Sequence, residues 1–274
     1  MKLWYYPGEI KAILFKINFK PDFILLNDMK ETRCPEITGL STLKIPWGII
    51  MHDIHYQEAK RKEFIRKNQV RYIFSIYRDA FLKMFPEFAP RMHWLPHWVN
   101  TDLFRDYGLN RNINWLMMGK MASYYPLRQK IYQSMKGKTG FVYHHHPGYR
   151  KVAAKEKRVF VGERYAREIS RAKMFLTCDS SFHYPLIKYY EVLACKTLLL
   201  APASRELHDL GFIPGTNYVS INDTNFFRQA NYYLKNVNER RHIAEAGYKM
   251  VRTRHSVALR AGQLKKMIDD IIGS

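Results

Sequence analysis

Short apolar runs separated by amphipathic stretches are the feature that most restricts the fold of this 274-residue chain. The runs that predict buried strands in the first part of the chain are 21–28, 47–53, 72–77 and 92–98. A second series follows at 113–119, 139–145, 158–162, 173–179, 197–202 and 217–223. Stretches of helix-forming composition lie between most of these runs: 56–68, 126–135, 163–172, 187–194, 204–211 and 225–254. This alternation predicts α/β architecture, with parallel sheets covered by helices on both faces.

The two series predict two doubly wound, Rossmann-like domains. A polar, turn-rich segment at 96–114 separates the series, so we expect one domain over 1–105 and another over 106–274. In open parallel sheets, ligands bind beyond the carboxyl ends of the strands, where loops meet helix N-termini. The candidate functional residues are therefore those that directly follow a strand.

The chain is strongly basic, with 45 Lys and Arg against 24 Asp and Glu and a formal net charge of +21. The excess lies mostly after residue 105 and favours polyanions, nucleotides, phosphorylated substrates or an anionic membrane surface as partners. A general contribution to solubility is the alternative interpretation. The charge and the 19 tyrosines also motivate a nucleic-acid-binding hypothesis. Most aromatic residues lie in apolar runs and no named nucleic-acid motif occurs, so nucleic acid is the less favoured partner.

The cysteine pattern and the absence of long apolar runs predict a cytoplasmic location. The three cysteines are widely spaced, which argues against a disulfide framework or a structural zinc site. No run approaches the ~18 apolar residues of a membrane-spanning helix, and the first residues lack a signal-peptide pattern. Nine Lys or Arg lie between Arg150 and Lys173. They are candidates for peripheral attachment to the inner membrane face, with a solvated helical face as the alternative.

Residues 181–202 place one carboxylate, Glu191, between a polar, aromatic loop and an apolar run. Pro185 predicts the first turn of a helix, and Glu191 would lie about two turns into it, with Lys188 three residues earlier on the same face. The free N–H groups of a helix N-terminus suit a diphosphate. A carboxylate further along can accept hydrogen bonds from a ribose diol. The same spacing also permits a surface Lys188–Glu191 ion pair.

This segment resembles a known family. The sequence IKYYEVLACKTLLLAPASRELHDLGFIPGTNYVSIND is similar to the C-terminal domain of group-1 glycosyltransferases, closest to the spore-maturation (CgeB-like) branch. The family pattern is a basic residue, an aromatic, Glu and a Leu-Ala-Cys-Gly turn. The matching residues are Lys188, Tyr190, Glu191, Leu193, Ala194 and Cys195. Lys196 departs from the usual Gly, and at positive φ it would be strained. HWLPHWVNTDLF and WLMMGKMASYYPLRQKIY are also similar to family segments, so the likeness extends from about residue 70 to about residue 265.

The resemblance implies a GT-B-like fold: two Rossmann-like domains with a cleft between them and a short N-terminal domain. It also implies an enzyme that moves a sugar from a nucleoside-diphosphate sugar, most simply UDP-type, to an unknown glycan, lipid-linked or protein acceptor. Glu191 would hold the ribose, the helix start and nearby cations the diphosphate, and Gly162 would flank the base. The implied donor-binding residues are Gly119, Lys120, Arg128, Gly162, Ser180, Ser181, His183, Lys188 and Glu191. For Lys120 and Arg128, a solvated helix face is the alternative.

The catalytic candidates follow the second apolar run. Asp53 and His55 are candidates for the general base that deprotonates an acceptor hydroxyl in an inverting reaction, and a helix cap by Asp53 with a polar loop histidine is the alternative. No metal or other cofactor is expected, because fixed cations and a helix N-terminus can stabilise a diphosphate leaving group. Adjacent acids at 269 and 270 are interpreted as part of a solvated tail. His144 or His146 is a further substrate-facing candidate. A catalytically inactive GT-B subunit is the third functional hypothesis.

Overall fold

The computed structural model describes residues 1–30, 32–148, 150–153, 156 and 158–273. The chain divides into two compact units: Met1–Pro96 with Ala261–Ser274, and His97–Arg260. The second unit starts before the boundary expected after residue 105, because Val99 pairs within it. The Val99 N–H donates to the His255 carbonyl, and the Val99 carbonyl accepts from the Val257 N–H.

The first unit contains a four-stranded parallel sheet. The strands of the whole unit, in chain order, are β1 (Gly8–Glu9), β2 (Ile24–Asn27), β3 (Ile37–Thr38), β4 (Trp47–Met51), β5 (Tyr72–Ser75) and β6 (Met92–Trp94). Its helices are α1 (Ile10–Ile17), α2 (Glu58–Lys67) and α3 (Arg78–Met84), with 3₁₀ turns at Leu40–Thr42 and Pro86–Arg91. The main sheet has the order β2-β4-β5-β6, and β1 and β3 form a separate parallel pair. All of β4 is buried, as expected for a strand covered on both faces.

The second unit contains a five-stranded parallel sheet with the order β11-β10-β9-β7-β8. Its strands are β7 (Ile113–Gly119), β8 (Phe141–His145), β9 (Ala172–Leu176), β10 (Leu198–Ala201) and β11 (Val219–Ser220). Its helices are α4 (Pro126–Met135), α5 (Gly162–Ser170), α6 (Ile187–Ala194), α7 (Arg205–Asp209), α8 (Phe226–Lys235) and α9 (Val237–Arg254). The last helix, α10 (Val257–Gly273), contributes residues to both units. The parallel α/β fold confirms the predicted class.

A glycine in α9 lets that helix approach the turn before β11. A Cβ at Gly247 would lie 2.7 Å from Cδ2 at the end of the Leu193 side chain and closer still to the Asn217 carbonyl oxygen. The backbone oxygen leaves no room for a side chain, so α9 approaches the turn at Asn217 as closely as it does because residue 247 is glycine.

Most predicted elements form, and three are found at their predicted bounds: β7, α4 and α6. The strand predicted at 158–162 is wrong, because the described part of that segment is irregular and α5 begins at Gly162. Its apolar residues have another partner: the Phe160 ring lies against the His144 ring with centroids 4.0 Å apart. A run of three apolar residues is too short to distinguish a buried strand from a surface loop that packs against β8.

One further expectation is corrected by the structure. Pro185 lies before the helix and not in its first turn, because α6 begins at Ile187 with Leu186 as its N-cap. Asp269 and Asp270 are exposed, as expected of a solvated position, and lie in α10, which is helical through Gly273. The basic segment after Arg150 falls partly outside the described residues, which exclude Tyr149, Ala154, Lys155 and Lys157. No helix in the described part of the chain is long and apolar enough to cross a membrane.

Candidate functional site

Three loops in the second unit meet at the carboxyl edge of its sheet. They follow β8, β7 and β9, which are neighbours in the strand order. The Ser181 N–H donates to the Tyr124 carbonyl at 2.9 Å and joins two of the loops. The Tyr143 hydroxyl donates to the Gly119 carbonyl at 2.7 Å and joins β8 to the end of β7. Parallel pairing thus brings residues from separate parts of the sequence to one place, as expected for an open α/β sheet.

Arg128 reaches this edge from α4 and is buried, with 2% of its surface exposed. Its Nη1 donates to the Lys120 carbonyl at 2.8 Å, and the guanidinium lies 4.0 Å from the centroid of the Tyr125 ring. Its Nε is buried and makes no hydrogen bond to any described residue. Arg128 is therefore not part of a solvated helix face. A buried guanidinium favours an anionic group nearby.

Gly119 makes room for this guanidinium. A Cβ at Gly119 would lie 2.9 Å from Arg128 Nη1, and the backbone φ of +150° is one that side chains rarely adopt. Lys120 follows in the loop, outside any helix, and its side chain is exposed. The three predicted residues Gly119, Lys120 and Arg128 are thus adjacent in the structure.

Positive charges converge on the loop after β8. The pKa of His146 is lowered, first by burial and then by Lys188, His145, Arg128 and Lys120. Cations from three loops or helices therefore act on one imidazole, which disfavours its protonation. This concentration of positive charge is what a diphosphate requires.

Glu191 is linked to Lys188 through a tyrosine that the sequence analysis missed. The Tyr165 hydroxyl donates to Glu191 Oε2 at 3.0 Å and accepts from Lys188 Nζ at 3.3 Å. The Lys188 ammonium also lies 5.2 Å from the centroid of the Tyr165 ring. Oε1 of Glu191 accepts no hydrogen bond from any described residue. The arrangement differs from a surface Lys–Glu pair, because a hydroxyl from α5 stands between the two charges.

The pKa shifts in this group follow from its burial. Burial raises the pKa of Glu191, and Lys188 and the Tyr165 hydrogen bond oppose that shift. Burial also lowers the pKa of Lys188, against the effect of Glu191, and raises the pKa of Tyr165 well above its usual value. A carboxylate in such a setting gains from each further hydrogen-bond donor supplied by a ligand.

The start of α6 leaves its first-turn N–H groups without a side-chain acceptor, because Leu186 is the N-cap and makes no capping hydrogen bond. The preceding loop is held by its own contacts. Ser180 is buried and accepts the Phe182 N–H at 3.3 Å, whereas Ser181 is exposed. His183 has positive φ, and its Nδ1 lies 2.7 Å from Asp179 Oδ2. Ser181 is therefore open to a ligand, while the His183 ring is paired.

Gly162 begins α5 with a φ of +54°, and a Cβ built there would meet no atom within 4 Å. His144 is held more tightly than a loop histidine, because its Nε2 lies 2.9 Å from Oε1 of the buried Glu168. That contact and the tilted Phe160 ring against it give His144 a structural role.

The catalytic candidates of the first unit belong to a network of charges at the ends of β2 and β4. Asp53 Oδ2 accepts from Arg33 Nη2 at 2.8 Å, and Arg33 Nη1 donates to Asp28 at 3.1 Å. Asp28 is fully buried and also pairs with the buried Arg61 at 2.6 Å. Asp53 does not cap a helix, because α2 begins at Glu58 with Gln57 as its N-cap. Asp28, Arg33 and Arg61 were not predicted.

Both histidines beside this network have lowered pKa values. Burial, followed by Arg33, lowers the pKa of His52 to about 4, and its Nε2 lies 3.2 Å from Asn27 Oδ1. Burial also lowers the pKa of His55, against the effect of Asp53. A neutral imidazole is the form that accepts a proton, so His55 has the protonation state of a general base at neutral pH.

Among the residues that the structure describes, no group of three or more His, Cys, Asp or Glu side chains is arranged to hold a metal ion.

Solved structures share the whole fold. A glycosyltransferase from Rickettsia africae superposes with a TM-score of 0.68 at 10% identity, over 96% of this chain and 79% of that one. Sucrose-phosphate synthase from Thermosynechococcus elongatus superposes with a TM-score of 0.68 at 15% identity, over 96% of this chain and 76% of that one. HepE from Anabaena, solved with UDP and glucose, superposes with a TM-score of 0.64 at 9% identity, over 95% of this chain and 81% of that one. No curated protein matches the sequence significantly.

These similarities and the two parallel sheets, of which the N-terminal one is smaller, define a GT-B fold. Residues 128–266, just over half of the chain, match the family model described as glycosyl transferase-like. The chain belongs to this glycosyl transferase-like family. The matched region begins at Arg128 and includes Tyr165, Lys188 and Glu191.

Proposed function

We propose that this protein transfers a sugar from a nucleoside-diphosphate sugar to an acceptor hydroxyl. In this proposal residues 106–274 hold the donor and residues 1–105 receive the acceptor, a glycan, lipid-linked or protein molecule. The observation that carries it is the partly buried Glu191 carboxylate, which is linked through Tyr165 to Lys188 in the unit that also buries Arg128. Family membership supports the reaction class.

The donor diphosphate would bind between Arg128, Lys188 and the start of α6. The uncapped N–H groups of α6 supply directed donors, and Arg128, Lys120 and Lys188 add charge. These groups would stabilise the charge that develops on the leaving diphosphate, so the reaction as proposed needs no divalent ion. Ser180, Ser181 and His183 belong to the loop that would cover the phosphates.

The nucleoside would be held by Glu191. Its Oε1 is available for the ribose hydroxyls while Oε2 keeps the Tyr165 hydrogen bond. Gly162 would flank the base, since its surroundings are open. UDP is the first nucleotide to test, because HepE was solved with UDP. Within the family we assign the chain to the spore-maturation branch, on the Lys-x-Tyr-Glu pattern at 188–191.

In a reaction that inverts the anomeric configuration, Asp53 or His55 would deprotonate the acceptor hydroxyl. Both follow β4 at the carboxyl edge of the first sheet. Asp53 is oriented by its ion pair with Arg33, and His55, with its lowered pKa, is neutral at neutral pH, the form that accepts a hydroxyl proton.

Calorimetric titration with UDP, GDP, ADP and TDP tests the donor site. The expected Glu191→Ala effect is a loss of about 1–3 kcal/mol in nucleotide affinity, because the ribose hydroxyls lose their acceptor. Glu191→Gln should retain part of the affinity, and Tyr165→Phe should lose less than Glu191→Ala. The control is Glu239→Gln, which removes an exposed carboxylate that accepts from Tyr232 in another part of the unit.

Saturating nucleotide, at 100 times its Kd, should stabilise the wild type by about 2.7 kcal/mol. Equal affinity of Glu191→Ala and wild type, with only a loss of thermal stability, would contradict the assignment of Glu191. Tight nucleotide binding with neither hydrolysis nor transfer of any sugar nucleotide would point to the inactive-subunit hypothesis. Salt-sensitive RNA binding without any nucleotide-induced stabilisation would support a nucleic-acid-binding protein.

A further inference from the structure

Exposed apolar side chains are concentrated in the first 19 residues of the first unit. Of the eighteen large apolar side chains that the described residues leave exposed, six lie here, and Phe15 is 91% exposed. These side chains are Met1, Leu3, Tyr5, Tyr6, Phe15 and Phe19. Together with Lys2, Lys11, Lys16 and Lys20 we call them the aromatic–lysine surface. Such a cluster of apolar side chains on a protein surface marks an interaction site.

Direct contacts tie two of these lysines to nearby aromatic rings. Lys2 Nζ donates to the Ile17 carbonyl at 3.1 Å and lies 5.1 Å from the centroid of the Phe19 ring. Lys16 Nζ lies 5.7 Å from the centroid of the Trp4 ring. The residues before β1 therefore lie along the C-terminal half of α1.

The helix under this surface is anchored on its other side. Ile10 and Ile13 of α1 are buried, and the Glu9 side chain caps the helix by accepting the Ala12 N–H at 2.9 Å. A groove of about 450 Å³ continues the apolar area, with Leu14, Phe15, Phe19 and Ile45 among its lining residues. Phe15 is thus presented by an anchored helix, which lowers the entropy lost when a partner binds.

The charge of the surface selects the kind of partner. Residues 1–20 carry four lysines against one glutamate, and that glutamate is engaged as the helix cap. Aromatic rings beside long cationic side chains suit the boundary of a lipid bilayer, where rings enter the headgroup region and ammonium groups reach the phosphates. We propose that the aromatic–lysine surface docks the protein on an anionic lipid bilayer. This proposal is independent of the donor site.

Co-sedimentation of the full chain with vesicles tests the docking. Vesicles of equal parts phosphatidylcholine and phosphatidylserine are compared with vesicles of phosphatidylcholine alone. We expect binding to the anionic vesicles only, weakened by salt. Phe15→Ser combined with Phe19→Ser should reduce the partition coefficient by roughly tenfold or more, because two inserted rings are lost. The matched control is Phe227→Ser with Tyr232→Ser, two exposed aromatics of α8 in the second unit.

A second readout reports the position of the surface itself. Phosphatidylserine with brominated acyl chains should quench tryptophan fluorescence in the wild type, and Trp4→Phe should lose that quenching while its sedimentation stays close to wild type. Thermal unfolding of each variant establishes that it is folded.

Several outcomes would overturn the proposal: no binding to anionic vesicles, equal losses in the α1 and α8 variants, or binding that Phe15 and Phe19 do not affect. A lipid-free dimer that is abolished by Phe15→Ser with Phe19→Ser would assign the surface to a second copy of the chain instead.

Discussion

The guanidinium of Arg128 occupies the space that a side chain at residue 119 would need, with Nη1 2.9 Å from the position of a Cβ on Gly119. The same guanidinium donates to the Lys120 carbonyl, so strand end, loop and helix are fixed together. The absence of a side chain at residue 119 therefore determines where Arg128, the buried cation of the proposed phosphate site, lies.

Gly119→Ala is expected to lower both stability and nucleotide affinity. The new Cβ would displace Arg128 at a strained φ of +150°, at a cost of about 1–3 kcal/mol. Gly137→Ala is the matched control, since it also has positive φ but meets no atom within 4 Å. It should lose about 1 kcal/mol of stability and bind UDP as the wild type does. Denaturant unfolding and calorimetry measure the two quantities, and equal affinities in the two variants would contradict the role of Arg128.

Asp53→Asn and His55→Gln test the catalytic proposal for the first unit. If one of these residues is the general base, its variant should lose about 10²–10⁴ in kcat with little change in donor affinity. Sugar transfer at saturating donor, together with UDP titration, separates the two effects. Asp102→Asn, at an exposed position of the second unit, is the control. Full activity in both the Asp53 and His55 variants would remove them from the mechanism.

Acid should destabilise the second unit through His255. Its Nδ1 accepts from Arg260 at 2.8 Å, so Nε2 donates to the Leu210 carbonyl, and burial lowers its pKa to about 4. The folded state therefore disfavours protonation of His255, whereas the unfolded chain is protonated there below about pH 6.5. Above that pH His255 contributes its full share to the free energy of unfolding. About 3 kcal/mol of that free energy is lost as the pH falls toward 4.

Urea unfolding from pH 7 to pH 4 measures this loss. His255→Gln should be less stable at pH 7 and should show a flatter pH dependence than the wild type. Parallel pH profiles for the two proteins would assign the acid sensitivity to other groups.

Lys196 follows Cys195, the C-cap of α6, at a φ of +56°, where the family usually has glycine, so the predicted strained turn is present. Its ammonium pairs with Glu245 at 2.6 Å, a partly exposed ion pair worth about 0–1 kcal/mol. Both Lys196→Ala and Lys196→Gly remove the ion pair, but only glycine relieves the strain of the positive φ at residue 196. We expect the glycine variant to be about 1 kcal/mol more stable than the alanine variant, by denaturant unfolding. An alanine variant of equal or greater stability would show that the turn is unstrained.

Local pattern was enough to predict the elements that carry the donor site. The apolar run of β7 and the periodic stretches of α4 and α6 specify their own bounds, because burial on a strand or one helix face repeats at short range. The run at 158–162 gave no such periodicity, and its apolar side chains cover His144 instead of joining the sheet. Glu191 was expected about two turns into its helix but is the fifth residue of α6, because the helix begins at Ile187 and not at Pro185.

The partners of the charged side chains were not predictable. Tyr165 meets Glu191 from a separate helix, and Asp28 meets Arg61 across the first unit, so neither pair leaves a spacing in the sequence. The burial of Arg128 depends on the missing side chain at Gly119 and on the Tyr125 ring, which are tertiary relationships. Such contacts are decided by packing between elements rather than by propensity.

The close approach of Gly247 to the Asn217 carbonyl makes an interior glycine of α9 sensitive to substitution. A methyl group at residue 247 would meet a backbone oxygen, which yields less readily than the flexible end of the Leu193 side chain, so α9 or the turn before β11 would have to move. A damaging variant at this position would therefore act by displacing backbone, although the wild-type residue has no side chain.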